Sequence, residues 1–166
     1  MVRRAILDNV AKHGAKDSTM THDVCPFCAA DPDETDEWLL VTRSTQSKLW
    51  LSKNQTYRGH CSLVFLGRHV ERLDELDDTE SRLFQGDLKS ALGAVRHAFA
   101  PDHVNVEMLG NVVRHLHAHI IPRYRDDPRW GHPIWLTDVS QMLVSKPPRA
   151  ELVERVARLK QALKAN

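Results

Sequence analysis

Apolar and polar positions alternate in some stretches of this chain and recur at helical spacing in others, and the two patterns predict most of its elements. Trp38 to Arg43 and Lys48 to Ser52 are short strands separated by the polar Ser44-Thr45-Gln46-Ser47, and together they read as a β-hairpin. After the polar loop Lys53 to Gly59, His60 to Leu66 is another strand, with Leu63, Val64 and Phe65 too continuously apolar for a surface segment. Asp77 opens an Asp-x-x-Glu sequence ending at Glu80, a capping-box variant that starts a helix there. Phe84, Leu88, Leu92 and Val95 then mark one buried face, running to about Phe99. Pro101-Asp102 breaks that helix. Val104 to Leu109 and Arg114 to Arg123 are two further strands, punctuated by Gly110-Asn111. Terminal helices are expected from Val2 to about Ala15 and from about Pro148 to Lys164, the second with Leu152, Val156, Leu159 and Leu163 as its stripe. Thr19 to Glu37 and the Pro-rich Arg125 to Pro133 should be irregular. About five antiparallel strands, one long helix packed on them and terminal helices define an α+β fold.

Composition narrows the class. A chain of 166 residues that is 42% hydrophobic and 27% charged, without repeats or low-complexity tracts, predicts one domain over residues 1–166 and excludes disorder, collagen and coiled coil. With 23 Lys+Arg against 22 Asp+Glu, the net charge of +1 predicts no nucleic-acid partner. No run approaches the roughly 20 apolar residues of a membrane span, and Ala5-Ile6-Leu7 is too short for a signal-peptide core. A cytoplasmic protein with no membrane partner is expected. In a reducing compartment three cysteines are no disulfide framework, so the C-x-x-C pair Cys25 and Cys28 becomes a metal or redox candidate.

The informative segment is His115-Leu116-His117-Ala118-His119-Ile120-Ile121-Pro122-Arg123. Side chains alternate along a strand, so His115, His117 and His119 project from one face while Leu116, Ala118 and Ile120 pack on the other. As core filling, each imidazole would need its own hydrogen-bond partner, and three in strict alternation point to a site. Two chemistries fit: a three-His metal centre, or a nucleophilic His whose neighbours bind an anion. Gly110 permits close backbone approach, Asn111 can donate, and the N–H groups of Val112 and Val113 can cradle a phosphate. No acidic residue within the row is available to activate a metal-bound water, which favours the anion-binding reading.

His-Leu-His-Ala-His-Ile-Ile resembles the His-φ-His-φ-His-φ-φ signature of the histidine triad (HIT) superfamily of nucleotide hydrolases and transferases. Asn54-Gln55-Thr56-Tyr57-Arg58-Gly59-His60, the strand after it and Arg68-His69-Val70 look like the family's earlier nucleotide-binding hairpin, and Cys25-Pro-Phe-Cys28 resembles the start of a bacterial branch. The likeness covers roughly residues 25–135 and leaves out the terminal helices. It implies a HIT-like fold and a two-step reaction at the α-phosphorus of a dinucleoside polyphosphate or nucleoside phosphoramidate. His117 would be the covalent nucleophile, and His119, Asn111 and the backbone of Gly110, Val112 and Val113 would hold the phosphate. Ser52, Asn54 and Asn105 fall where family members contact ribose or phosphates, although Asn54 equally suits a turn. His60 would approach base or ribose. A phosphorylase or nucleotidyltransferase, or a non-catalytic nucleotide-binding module, are the alternatives. Some HIT proteins hold a structural zinc, which implies Cys25, Cys28, His69 and His115 as ligands here, with His22 as substitute. A homodimer is implied as well. Trp130 and Trp135 read as packing anchors of a loop in preference to walls of a partner's pocket. The chain departs from the family at Gly110-Asn111-Val112, where members commonly carry Gly-Gln-Ser or Gly-Gln-Thr.

Overall fold

A five-stranded antiparallel sheet, in the order Trp38–Arg43, Ser47–Ser52, Cys61–Phe65, His117–Arg123, His103–Glu107, places one face against helices and leaves the other open. The computed structural model describes residues 25–29, 33–127, 129–135 and 144–165. The expected N-terminal helix and His22 lie outside them. β1 (Trp38–Arg43) and β2 (Ser47–Ser52) form the expected hairpin, and Ser44 braces its turn by accepting from the N–H groups of Gln46 and Ser47. β3 is Cys61–Phe65, β4 His103–Glu107 and β5 His117–Arg123. A four-residue helix, α1 (Pro26–Ala29), interrupts a stretch expected to be irregular, and a 3-10 turn forms at Leu73–Glu75.

Helix α2 (Asp78–Phe99) begins as the sequence indicates. The Asp77 carboxylate accepts from the N–H groups of Thr79 and Glu80, while Glu80 accepts from the Asp77 N–H. These bonds satisfy donors that a helix start leaves unpaired. The helix stops at Ala100, which adopts a left-handed backbone (φ 45°) ahead of Pro101. Its buried face is rotated from the expected one. Phe84 and Val95 are buried, but Ala91, Ala94 and Ala98 fill the centre of the contact, and Leu88 and Leu92 flank it half-buried. Small side chains let the helix axis approach the sheet closely, so longer ones move to the flanks. Helix α3 (Arg149–Ala165) packs on α2 and β1 through Leu152, Leu159 and Ala162, with Val156 and Leu163 partly buried.

The core lies between these helices and one parity of strand positions: Leu49 and Leu51 of β2, Cys61, Leu63 and Phe65 of β3, Ala118 and Ile120 of β5. The other parity faces the open side. Register fixes what stands there in rows: Lys48, Val64 and His117 in one, Trp50, Ser62, His119 and Glu107 in the next. Gly59 seats the turn into β3. Its backbone is left-handed (φ 88°), and a Cβ there would lie 2.5 Å from the Phe99 ring, so only glycine lets this turn close against the end of α2. No helix among the described residues is long and apolar enough to cross a membrane.

Candidate active site and metal site

The open face of the sheet floors a cleft of about 1450 Å³. His117 and His119 stand on its floor with ring centroids 5.0 Å apart. β5 begins at His117 and not at residue 114, because the His115 N–H bonds back to the Val113 carbonyl in a tight turn. His115, expected in the catalytic row, is buried but not among the residues lining the cleft, and its carbonyl accepts the Nδ1–H of His117 at 2.6 Å. That bond leaves the His117 Nε2 with its lone pair. Burial holds His117 below the usual imidazole pKa, so the ring is neutral at pH 7.

His119 contacts the hairpin histidine: its Nδ1 lies 3.3 Å from Nε2 of His60. Burial, then the neighbouring His60 and His117, push His119 down to about 3, and burial alone pushes His60 to about 4. Trp38 packs edge-on to His60, and the Trp135 ring lies 5.0 Å from that of His119. Trp135 is held there by its own loop. The buried Arg123 guanidinium donates to Asp127 at 2.6 Å and to the carbonyls of Arg129 and His132, Arg129 donates to the Ile134 carbonyl, and the Trp135 indole N–H donates to Glu107. Trp135, expected as a packing anchor, is partly exposed and lines the cleft of its own chain.

These lowered values predict a pH dependence. An unfolded histidine titrates near 6.5, so below that pH the unfolded chain binds protons that folded His60 and His119 refuse. Their contribution is fully present above pH 6.5 and is lost as pH falls toward 4, by up to about 1.4 kcal/mol per pH unit for each ring. Urea midpoints at pH 7.5, 6.0 and 5.0 should therefore fall steadily. A flat series would mean the two rings are not buried neutral.

Other candidates divide. Ser52, Asn54, His60 and the loop Gly110 to Val113 line the cleft. The loop forms its rim, with Val112 62% exposed and Gly110 in a left-handed conformation (φ 63°). Asn54 also makes the turn: its Oδ1 accepts from the N–H and hydroxyl of Thr56. Asn105 is not among the lining residues. It pairs with Ile121, one row past His119, on the strand at the sheet's margin. Lys48 and Trp50, by contrast, line the cleft and carried no sequence assignment here. Their shared parity with Ser52 was the available signal.

A second cluster adjoins the row. α1 turns both thiols inward, with the Cys28 N–H donating to the Cys25 carbonyl. The His115 Nδ1 lies 3.4 Å from each sulfur, His69 Nδ1 lies 3.4 Å from Cys28, and all four candidate ligand atoms fall within 4.8 Å of one another. A tetrahedral ion with bonds of about 2.3 Å to sulfur and 2.0–2.1 Å to nitrogen spaces those atoms by about 3.5 Å. The set fits. The Nε2–H of His115 donates to the Phe65 carbonyl at 2.9 Å, which fixes the tautomer and turns the Nδ1 lone pair toward the sulfurs. Burial and then Cys25 push the Cys28 thiol up to about 11. A bound dication reverses that balance. Cys25, Cys28, His69 and His115 thus form a potential metal-binding site.

An antiparallel sheet with this histidine row over an open cleft defines a class of histidine-triad proteins. The family model "HIT domain" matches residues 37–126, and the chain belongs to that family. It is 31% identical over 93 residues to "Protein hit" of Bacillus subtilis, covering 53% of this chain and 63% of that relative's length. A histidine triad protein of Bradyrhizobium japonicum superimposes with a TM-score of 0.70 at 22% identity, over 77% of this chain and 92% of its own. A zinc-bound histidine triad family protein of Mycobacterium smegmatis does so with a TM-score of 0.55 at 17% identity, over 76% and 84%. The family is one of nucleotide-processing hydrolases and transferases in general.

Proposed function

We propose that the chain hydrolyses a nucleotide phosphoanhydride, of the dinucleoside polyphosphate class, through a nucleotidyl-histidine at His117. The observation that carries this reading is the 2.6 Å bond from the His117 Nδ1–H to the His115 carbonyl, which leaves Nε2 as a neutral, oriented nucleophile. In the first step Nε2 attacks the α-phosphorus, a P–N bond forms, and the P–O bond to the leaving polyphosphate breaks. In the second, water forms a new P–O bond and releases a proton to solvent, and His117 departs with the electron pair of the P–N bond. With His60 donating to its Nδ1, His119 keeps its own proton on Nε2 as a donor to a non-bridging oxygen. Asn111 and the amides of Val112 and Val113 add donors where charge builds up. Val112 offers no hydroxyl to protonate a leaving group. An amine needs that proton and a polyphosphate does not, which favours an anhydride over a phosphoramidate.

Cys25, Cys28, His69 and His115 would hold zinc in a closed four-ligand site, where it supplies rigidity and takes no part in the chemistry. A homodimer joined through the margin strand β4 is supported by the half-exposed Val106, Met108 and Leu109 beside it. The test is intact-protein mass spectrometry after brief mixing with adenosine and guanosine dinucleoside tetraphosphates and, separately, adenosine phosphoramidate. A transient nucleotidyl adduct, faster from a tetraphosphate, is expected. Absence of both adduct and nucleotide release with every substrate removes the enzymatic reading.

A further inference from the structure

Strand β2 brings two side chains onto the histidine face that the reaction above does not use. Lys48 lies in the row of His117, across Val64, and Trp50 lies in the row of His119, across Ser62. A strand lysine ordinarily reaches solvent, yet Lys48 is 2% exposed and lines the cleft. Its ammonium donates to the Phe27 carbonyl at 3.3 Å and stands 5.3 Å from the centre of the Trp50 ring. The Phe27 ring in turn lies 5.3 Å from that of His117. A cation is therefore held between the Trp50 ring and the Phe27 carbonyl, in the row of the nucleophile, at a position where an apolar side chain would pack at less desolvation cost.

A second observation points to a ligand at the same place. The Trp50 indole N–H and the Ser62 hydroxyl are buried without a hydrogen-bond partner among the described residues, and both side chains line the cleft. Native proteins leave few such groups unmet. Indole and ammonium can only donate, and the hydroxyl can do so too. Aromatic walls suit a flat ring, and donors on the wall call for a ring that turns acceptors toward them.

We propose that the cleft wall formed by Phe27 and Trp50 selects a 6-oxopurine, guanine or hypoxanthine, over adenine, with Lys48 donating to the ring carbonyl. Adenine carries an amine at the same ring position, so a donor would face a donor there. A site built to pair with one group discriminates strongly against an analogue that lacks it. This base choice presupposes the nucleotide reading above and adds the identity of the base to it.

IMP and AMP differ at C6 and in the N1 proton that accompanies the carbonyl, and calorimetric titration of the full chain with each is the test. IMP is expected to bind at least tenfold more tightly, equivalent to about 1.4 kcal/mol. In Lys48→Met the ratio should shrink to within about threefold. Should that variant fail to fold, the wild-type ratio decides alone: equal affinities, or a preference for AMP, overturn the assignment. A ratio unchanged in a folded Lys48→Met overturns it too, because the discriminating group would lie elsewhere. Equal binding of both nucleotides removes this inference and leaves the nucleotide reading standing. Binding of neither, with no adduct from either tetraphosphate, removes both.

Discussion

Replacing His117 by Asn is expected to abolish the nucleotidyl adduct and to lower turnover of a dinucleoside tetraphosphate by on the order of 10⁴-fold or more. Asparagine keeps much of the volume, and its amide can still donate to the His115 carbonyl that the imidazole now uses. What it lacks is a second nitrogen with a free lone pair directed into the cleft. His119→Ala should cost far less, about 10²-fold, because it removes one donor to the phosphate and leaves the bond-forming atom in place. Single-turnover release of mononucleotide, followed beside the protein mass, separates the two variants. Release from His117→Asn at a rate near that of wild type would place the nucleophile on another side chain.

The second large effect concerns the metal cluster. One equivalent of zinc is expected in the purified protein, and Cys28→Ser should lose it and melt roughly 10 °C lower, since a structural ion contributes directly to folding energy. Cys28 is the informative position because it meets both His69 and His115 without touching the catalytic strand through its backbone. Metal content by mass spectrometry and melting curves with and without a chelator are the measurements. A protein that carries no zinc as purified, binds none when it is added, and melts unchanged in the variant would reduce the pair to loop thiols.

Much of this was legible in the chain because it depends on local periodicity. The period of two put His117 and His119 on the open face of β5, and Asp77 with Glu80 marked the start of α2. The ligand set Cys25, Cys28, His69 and His115, implied by resemblance, comes together within 4.8 Å. What escaped depends on contacts between distant segments. Nothing near Asn105 in sequence tells that its row lies past His119, because that is decided by the register of β4 on β5. Trp135 reaches His119 through a loop folded around the Arg123 guanidinium, a set of bonds to carbonyls that residue types do not encode. Lys48 stands in the sequence only as the start of a strand, and its ammonium meets the Phe27 carbonyl of α1, a segment 21 residues away.

The strict division of β5 between site and core bears on how such a protein can change over generations. In β5 the two imidazoles of His117 and His119 alternate with residues sealed against the helices, Ala118 and then Ile120. Inserting or deleting one residue here would exchange the two faces at a stroke, sending imidazoles inward and aliphatic groups into the cleft. Length changes are therefore closed to this strand, and novelty in substrate use has to enter elsewhere. The rim loop from Leu109 to Val113, exposed over much of its length, is free to lengthen, shorten or exchange residues without disturbing that alternation.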